Sequence, residues 1–190
     1  RFAQESGIRS PLAPNLSIAL GSSAVNLLEL TAAYAIFPNG GNHISPYGIV
    51  EIRDRDGIRR WQARPSVRSV MTDRQAAIMV DMLQGVVQEG TGKRARQLNM
   101  PVAGKTGTTN DQRDAWFNGF NPDLVAVTWV GFDQLKPLGS RETGSSAALP
   151  LWIDFMRTAL AGKPQKQLKR PKGLVTVKIN AETGEIATDQ

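Results

Sequence analysis

The chain has 190 residues, 41% of them hydrophobic, enough for one ordinary globular core, and 23 Lys and Arg against 17 Asp and Glu leave a net charge of +6. With no cysteine there is neither a disulfide framework nor a thiolate metal site, and a single histidine, His43, builds neither a metal cluster nor a Ser-His-Asp triad without carboxylates from elsewhere. The basic excess gathers at residues 53–68, 93–96 and 163–172, turn-like segments without a run of interleaved aromatics, which reads as solvated surface and argues against a nucleic-acid partner.

Residues 1–22 are rich in Pro, Ser and Gly and are interrupted by Pro11 and Pro14, so they read as irregular. Nothing in residues 1–10 resembles the apolar core of a signal peptide. Asn26 then stands as an N-cap before Leu27, Leu30, Thr31 and Tyr34, a stripe at i, i+3, i+4 and i+7 that Pro38-Asn39-Gly40-Gly41 ends. His43, among loop formers, reads as an exposed turn residue. Residues 47–53 and the segment of Ile58 and Trp61 read as a hairpin turned at Asp56-Gly57. Thr72-Asp73-Arg74-Gln75 has capping-box spacing. From there Ala76, Met79, Val80, Leu83, Val86 and Val87 repeat at helical period up to Gly90 and Gly92, a stripe that reads as core.

From Pro101 the pattern changes to three short β-prone runs, 102–109, 115–120 and 124–132, joined by short turns. Such turns favour antiparallel neighbours, so this is a three-strand meander. The third run is far too short to span a bilayer. Residues 137–146 read as a loop. Pro150 opens a helix with Leu151, Trp152, Phe155 and Ala159 expected on its buried side, ending near Gly162-Lys163-Pro164. Residues 173–179 read as a strand and Glu182-Thr183-Gly184-Glu185 as a turn. No internal repeat is visible. The sum is an α+β fold, an antiparallel sheet covered by helices.

The first strand of the meander carries Ala103-Gly104-Lys105-Thr106-Gly107-Thr108-Thr109. On an exposed edge such a run suits holding a carboxylate and steadying an oxyanion. Lys105 supplies charge, the threonine hydroxyls donate, and Gly107 lets a substrate backbone approach. Two other readings compete. Gly104-Lys105-Thr106 matches the end of a phosphate loop, but Asn99 stands where its first glycine is needed, and a strand rather than a helix follows. A three-residue match can also be a turn without function. Lys-Thr-Gly is, however, an established signature of β-lactamases and penicillin-binding proteins.

Val102-Ala103-Gly104-Lys105-Thr106-Gly107-Thr108-Thr109-Asn110-Asp111, followed by Asp114-Ala115-Trp116-Phe117-Asn118-Gly119-Phe120, resembles the transpeptidase domain of class A penicillin-binding proteins, nearest to the 1A type. Gly90-Thr91-Gly92, Trp129-Val130-Gly131-Phe132-Asp133, residues 144–152, and Leu20-Gly21-Ser22-Ser23 leading into 27–35 share the likeness, which runs from about residue 12 to about 160. The resemblance implies a serine β-lactamase/transpeptidase-like fold. It also implies a DD-transpeptidase that takes the D-Ala-D-Ala end of a peptidoglycan stem peptide, forms an acyl-enzyme and passes it to an amine on a neighbouring strand. β-Lactam antibiotics would acylate the same serine. By this carry-over Lys105 and Thr108 are catalytic, Lys105 polarising the site and the backbone N–H of Thr108 forming half of the oxyanion hole. Thr106, Gly107, Thr108 and Thr109 bind substrate, with the Thr106 and Thr108 hydroxyls on its carboxylate. The family implies no cofactor and no metal, and a place on the outer, periplasmic face of the bacterial cytoplasmic membrane.

The family also needs a Ser-x-x-Lys nucleophile and a Ser-x-Asn motif, and no serine of this chain has a lysine three residues later or an asparagine two later. The resemblance therefore implies that residues 1–165 are the C-terminal portion of a transpeptidase domain whose sheet is incomplete without upstream chain. Residues 166–190 would be a linker and the start of a small β extension. The partner expected to carry the serine motifs is the upstream part of the same protein, along with a glycosyltransferase domain and a membrane anchor. This chain alone is expected to be inactive. The alternatives are a β-lactamase or DD-carboxypeptidase of the same superfamily, or a non-catalytic module that binds peptidoglycan peptide. Residues 114–120 and the strands expected after Gly173 favour the transpeptidase.

Overall fold

The computed structural model describes residues 1–180 and 182–187. In chain order these form α1 (Phe2–Glu5), α2 (Leu27–Ala35), β1 (Asn42–Ile44), β2 (Glu51–Arg53), β3 (Arg59–Gln62), β4 (Val67–Ser69), α3 (Asp73–Gln88), β5 (Ala103–Thr108), β6 (Ala115–Phe120), β7 (Val125–Val130) and α4 (Leu149–Ala159). The α+β architecture expected from the pattern is present: an antiparallel sheet in the order β5-β6-β7, with helices on both faces and two small strand pairs beside it.

Local chemistry explains the helix starts. The Asn26 side chain accepts from the Leu28 N–H at 2.8 Å, capping α2. At α3 the Thr72 hydroxyl accepts from the Gln75 N–H while the Gln75 side chain accepts from the Thr72 N–H, a complete capping box. The stripe Ala76, Val80, Leu83 and Val87 of α3 is buried. The meander pairs without a bulge, Ala103↔Phe120 through Thr108↔Ala115 and Ala115↔Val130 through Phe120↔Val125. On one face Phe117 meets Trp152 of α4, ring centroids 4.9 Å apart, and the Trp152 Nε1–H donates to the Ala126 carbonyl at 3.0 Å. Gly119 must lack a side chain there, because a Cβ would lie 2.7 Å from the Trp152 ring. On the other face Phe120 and Ala103 pack with Val80 and Leu83 of α3 and with Phe37. Burying one such large side chain stabilises the fold by about 1.5–3 kcal/mol.

Several expectations are corrected. Residues 1–22 are not wholly irregular: α1 forms before Pro11 and a 3₁₀ turn at Leu16–Leu20 after Pro14. His43 is not an exposed turn residue; the turn ends at Gly41, and His43 is buried in β1, across from Arg68 of β4. The buried face of α4 is Leu149, Trp152, Ile153, Met156 and then Leu160, whereas Leu151 and Phe155 point to solvent. Among the described residues the 173–179 segment forms no ladder strand; a single bridge, Ile179↔Ile186, closes the turn at Asn180, and Val175 is 82% exposed. Without a neighbouring strand, an extended segment has nothing to pair with. The rest of the expected β extension, Ala181 and residues 188–190, lies outside the described residues.

The 47–61 hairpin is present as β2–β3, its turn held by the Asp54 carboxylate, which accepts from the Asp56 and Ile58 N–H groups. Among the described residues no helix is long and apolar enough to cross a membrane.

Candidate active site

β5 is the outer strand of its sheet, bonded to β6 on one side and unpaired on the other among the described residues. α3 packs beside it. The strand rises out of the core along its length: Ala103 and Gly104 are buried, Thr106 and Gly107 half-buried, Lys105 and Thr108 exposed. Gly104 lies so close to β6 that a Cβ would sit 2.7 Å from the Asn118 carbonyl. Lys105 stands across from Asn118, whose buried Oδ1 has no hydrogen-bond partner among the described residues. On α2, Tyr34 has its hydroxyl pKa pushed up by burial, with a bond from the Asn118 side chain acting the other way.

The hydroxyls of the motif are ordered by neighbours from distant segments. Lys105 Nζ donates to the Thr106 carbonyl at 2.8 Å and approaches Thr106 Oγ1 at 3.4 Å. That same Oγ1 is 2.6 Å from the hydroxyl oxygen of Thr91. Thr91 comes from the turn after α3, where the Gly92 N–H donates to the Val86 carbonyl and where a Cβ on Gly90 would meet Val86 at 2.9 Å. At the far end of the strand, Thr108 Oγ1 accepts from the Gly144 N–H at 3.0 Å. Gly144 opens a π-helical turn, Gly144–Ala148, that leads into α4. It sits against the sheet backbone so closely that a Cβ would lie 2.4 Å from the Trp116 carbonyl and 2.5 Å from that of Gly107. Irregular helical turns of this kind recur at functional sites.

The structure thus brings Lys105, Thr106, Gly107 and Thr108 together along one edge. Thr109 is placed differently. Its hydroxyl accepts from the Asp114 N–H at 2.8 Å, and the Asp114 carboxylate accepts from Trp129 Nε1 at 2.8 Å, so Thr109 closes the β5–β6 turn. In that turn Asp111 and Gln112 both have positive φ, 58° and 52°. Thr91 and Gly144 were not singled out as site residues from sequence. Their only signal was membership of the Gly90-Thr91-Gly92 and 144–152 segments. Chemically the edge offers an ammonium, two hydroxyls and a strand of backbone N–H and C=O groups, a set of donors and acceptors of the kind that can bind a carboxylate and an extended peptide. Among the described residues no cluster of His, Cys, Asp and Glu could hold a metal ion.

Comparison with known proteins agrees with this fold. Residues 5–152 match the family described as "Penicillin binding protein transpeptidase domain". Penicillin-binding protein 1A of Neisseria gonorrhoeae is 43% identical over 183 residues, covering 93% of this chain and 23% of that protein. Its counterpart in Pseudomonas aeruginosa is 36% identical, covering 94% and 28%. The chain therefore spans about a quarter of the length of these curated relatives. The crystal structure of penicillin-binding protein 1A from Haemophilus influenzae superposes with a TM-score of 0.89 at 30% identity, over 98% of this chain and 34% of that one. A Mycobacterium tuberculosis protein, PonA1, solved in complex with penicillin V, shares the fold with a TM-score of 0.76 at 22% identity, over 89% and 51%. The match across residues 5–152 is decisive, and the chain belongs to the penicillin-binding protein transpeptidase domain family.

Proposed function

We propose that the chain supplies the Lys-Thr-Gly strand of a peptidoglycan DD-transpeptidase whose nucleophilic serine lies on another part of the same protein. A serine oxygen attacks the carbonyl between the two D-alanines, the terminal D-alanine leaves, and an amine from a neighbouring strand takes over the acyl group. A β-lactam acylates the same serine and stays on it. On this chain, Lys105 steadies negative charge and a proton network at the site. The Thr106 and Thr108 hydroxyls receive the terminal carboxylate, and the Thr108 N–H faces the developing oxyanion. Gly107 and Thr109 complete the substrate edge, the first by leaving room and the second by fixing the turn. The domain works outside the cytoplasmic membrane, where the stem peptides are.

The observation that carries this reading is the edge of β5, unpaired among the described residues, with Lys105, Thr106 and Thr108 on it and Gly144 seated on Gly107. Labelling of the intact protein by a fluorescent penicillin tests it. Lys105→Ala is expected to slow acylation at least roughly a hundredfold, the scale of losing one group that stabilises developing charge, with little change in Tm because Lys105 is exposed. Unchanged acylation would sink the assignment. Release of D-alanine with no cross-linked product would instead identify a hydrolase of the same superfamily.

A further inference from the structure

We propose that Asn118 is a positioning residue for Lys105: its buried amide oxygen is the acceptor that draws the ammonium off the strand edge and holds it within the site. This rests on the transpeptidase reading above. Asn118 is 8% exposed, and its Oδ1 is buried with no hydrogen-bond partner among the described residues. Buried polar atoms are almost always partnered, and one left unpaired costs stability, so this oxygen marks a place to which a donor comes.

Two observations make Lys105 that donor. Asn118 of β6 and Lys105 of β5 are register partners, so their side chains stand next to each other on one face of the sheet, with Cβ atoms about 4.5–5.5 Å apart. The flexible four-carbon stem of the lysine spans that gap. The Asn118 side chain also bonds to the Tyr34 hydroxyl, on α2, which packs over β6 and β7. With the amide nitrogen turned to α2, the oxygen on its other arm is left for the β5 side.

Here the ammonium is on the Thr106 carbonyl instead, at 2.8 Å. That carbonyl belongs to the open edge. The Thr109 N–H donates to the Asp114 carbonyl at 3.1 Å, and ladder bonds alternate along a strand, so Gly107 and Lys105 bond to β6 while the backbone groups of Thr106 and Thr108 face outward. An extended ligand lying along β5 takes the Thr106 carbonyl for its own N–H and displaces the ammonium. With an acceptor waiting at Asn118 the ammonium stays in the site. Without one it swings into solvent, because Lys105 is exposed.

Acylation of the intact protein by a fluorescent penicillin tests this with two variants of one shape. Asn118→Val removes the acceptor, and Asn118→Thr keeps the same outline with a hydroxyl oxygen that accepts. Both β-branched residues suit this central strand, where Val127 already stands across on β7, so both variants are expected to fold with Tm held. The comparison between them is internal, so a shared fall in Tm leaves it readable. Asn118→Val is expected to slow acylation about tenfold, the scale of one lost hydrogen bond to a charged group, and Asn118→Thr to react at least about threefold faster than Asn118→Val. Introduced into Lys105→Ala, which has no ammonium, the two substitutions are expected to give equal rates. Acylation of Asn118→Val at the unmodified rate overturns the proposal. So do equal rates in the two single variants, which assign the loss to shape alone. So does a difference that persists in Lys105→Ala, which means that the oxygen acts without the ammonium. Acylation of Lys105→Ala at the unmodified rate overturns the transpeptidase reading, and the role of Asn118 with it.

Discussion

The Thr91 hydroxyl oxygen lies 2.6 Å from that of Thr106, joining the turn after α3 to the Lys-Thr-Gly strand across fifteen residues of sequence. A hydroxyl pair at this distance shares one hydrogen, so each fixes the direction in which the other donates. Thr106 Oγ1 is in turn 3.4 Å from Lys105 Nζ. The orientation of the motif is thus set partly from outside it, by a residue that the flanking glycines push over β5.

Removing only that hydroxyl tests the consequence. Thr91→Val keeps the shape and loses one hydrogen bond, about 1 kcal/mol, so acylation of the intact protein by a β-lactam is expected to slow about three- to tenfold. Thr91→Ser should restore most of the rate. Tm should move little in either variant, since Thr91 is exposed. Equal rates in the Val and Ser variants would mean that the pair does not orient Thr106.

Gly144→Ala addresses the other end of the strand. The added Cβ would meet two backbone carbonyls at 2.4 and 2.5 Å, and backbone cannot swing aside as a side chain can. Overpacking of this sort costs about 1–3 kcal/mol. We expect a lower Tm by thermal denaturation together with slower acylation, because the Gly144 N–H to Thr108 Oγ1 bond is lost as the turn shifts. A variant with unchanged Tm would show that the π-helical turn adjusts freely.

How far the sequence reaches depends on how local the deciding interaction is. The α3 start was legible because its capping box lies within four residues, and the meander because its turns are short. The strand that carries Lys105–Thr108 was legible for the same reason, as a short β-prone run followed by a short turn. Gly144 was not, since its reason for being glycine is the backbone of Gly107 and Trp116 brought in from other strands. The phase of α4 was misread because Leu151 and Phe155 are as apolar as Ile153 and Met156, so composition could not say which side faces Phe117. His43 was misread because its strand partner, Arg68, arrives only after the whole β2–β3 hairpin.

His43 also gives the fold a pH dependence that the sequence did not suggest. Its ring lies against Gly7, where a Cβ would sit 2.3 Å from Nε2. Burial first, and then the positive charges of Arg68 and Arg9, hold its pKa below the usual 6.5. The fold therefore favours the neutral ring over the charged one more than the unfolded chain does. In the unfolded chain it gains a proton as pH falls through about 6.5, so stability drops from there downward and levels off below the folded pKa. Glu5 acts in a more acid window. Its pKa is lowered, chiefly by the bond from Arg1 and also by Arg68, so its contribution is lost only below the usual 4.5. Between about pH 7.5 and about pH 5.5, Tm is expected to fall in the unmodified protein and to fall less in His43→Gln, whatever the absolute Tm of that variant. The same slope in both would remove His43 as the source, leaving its contact with Gly7 insensitive to its charge.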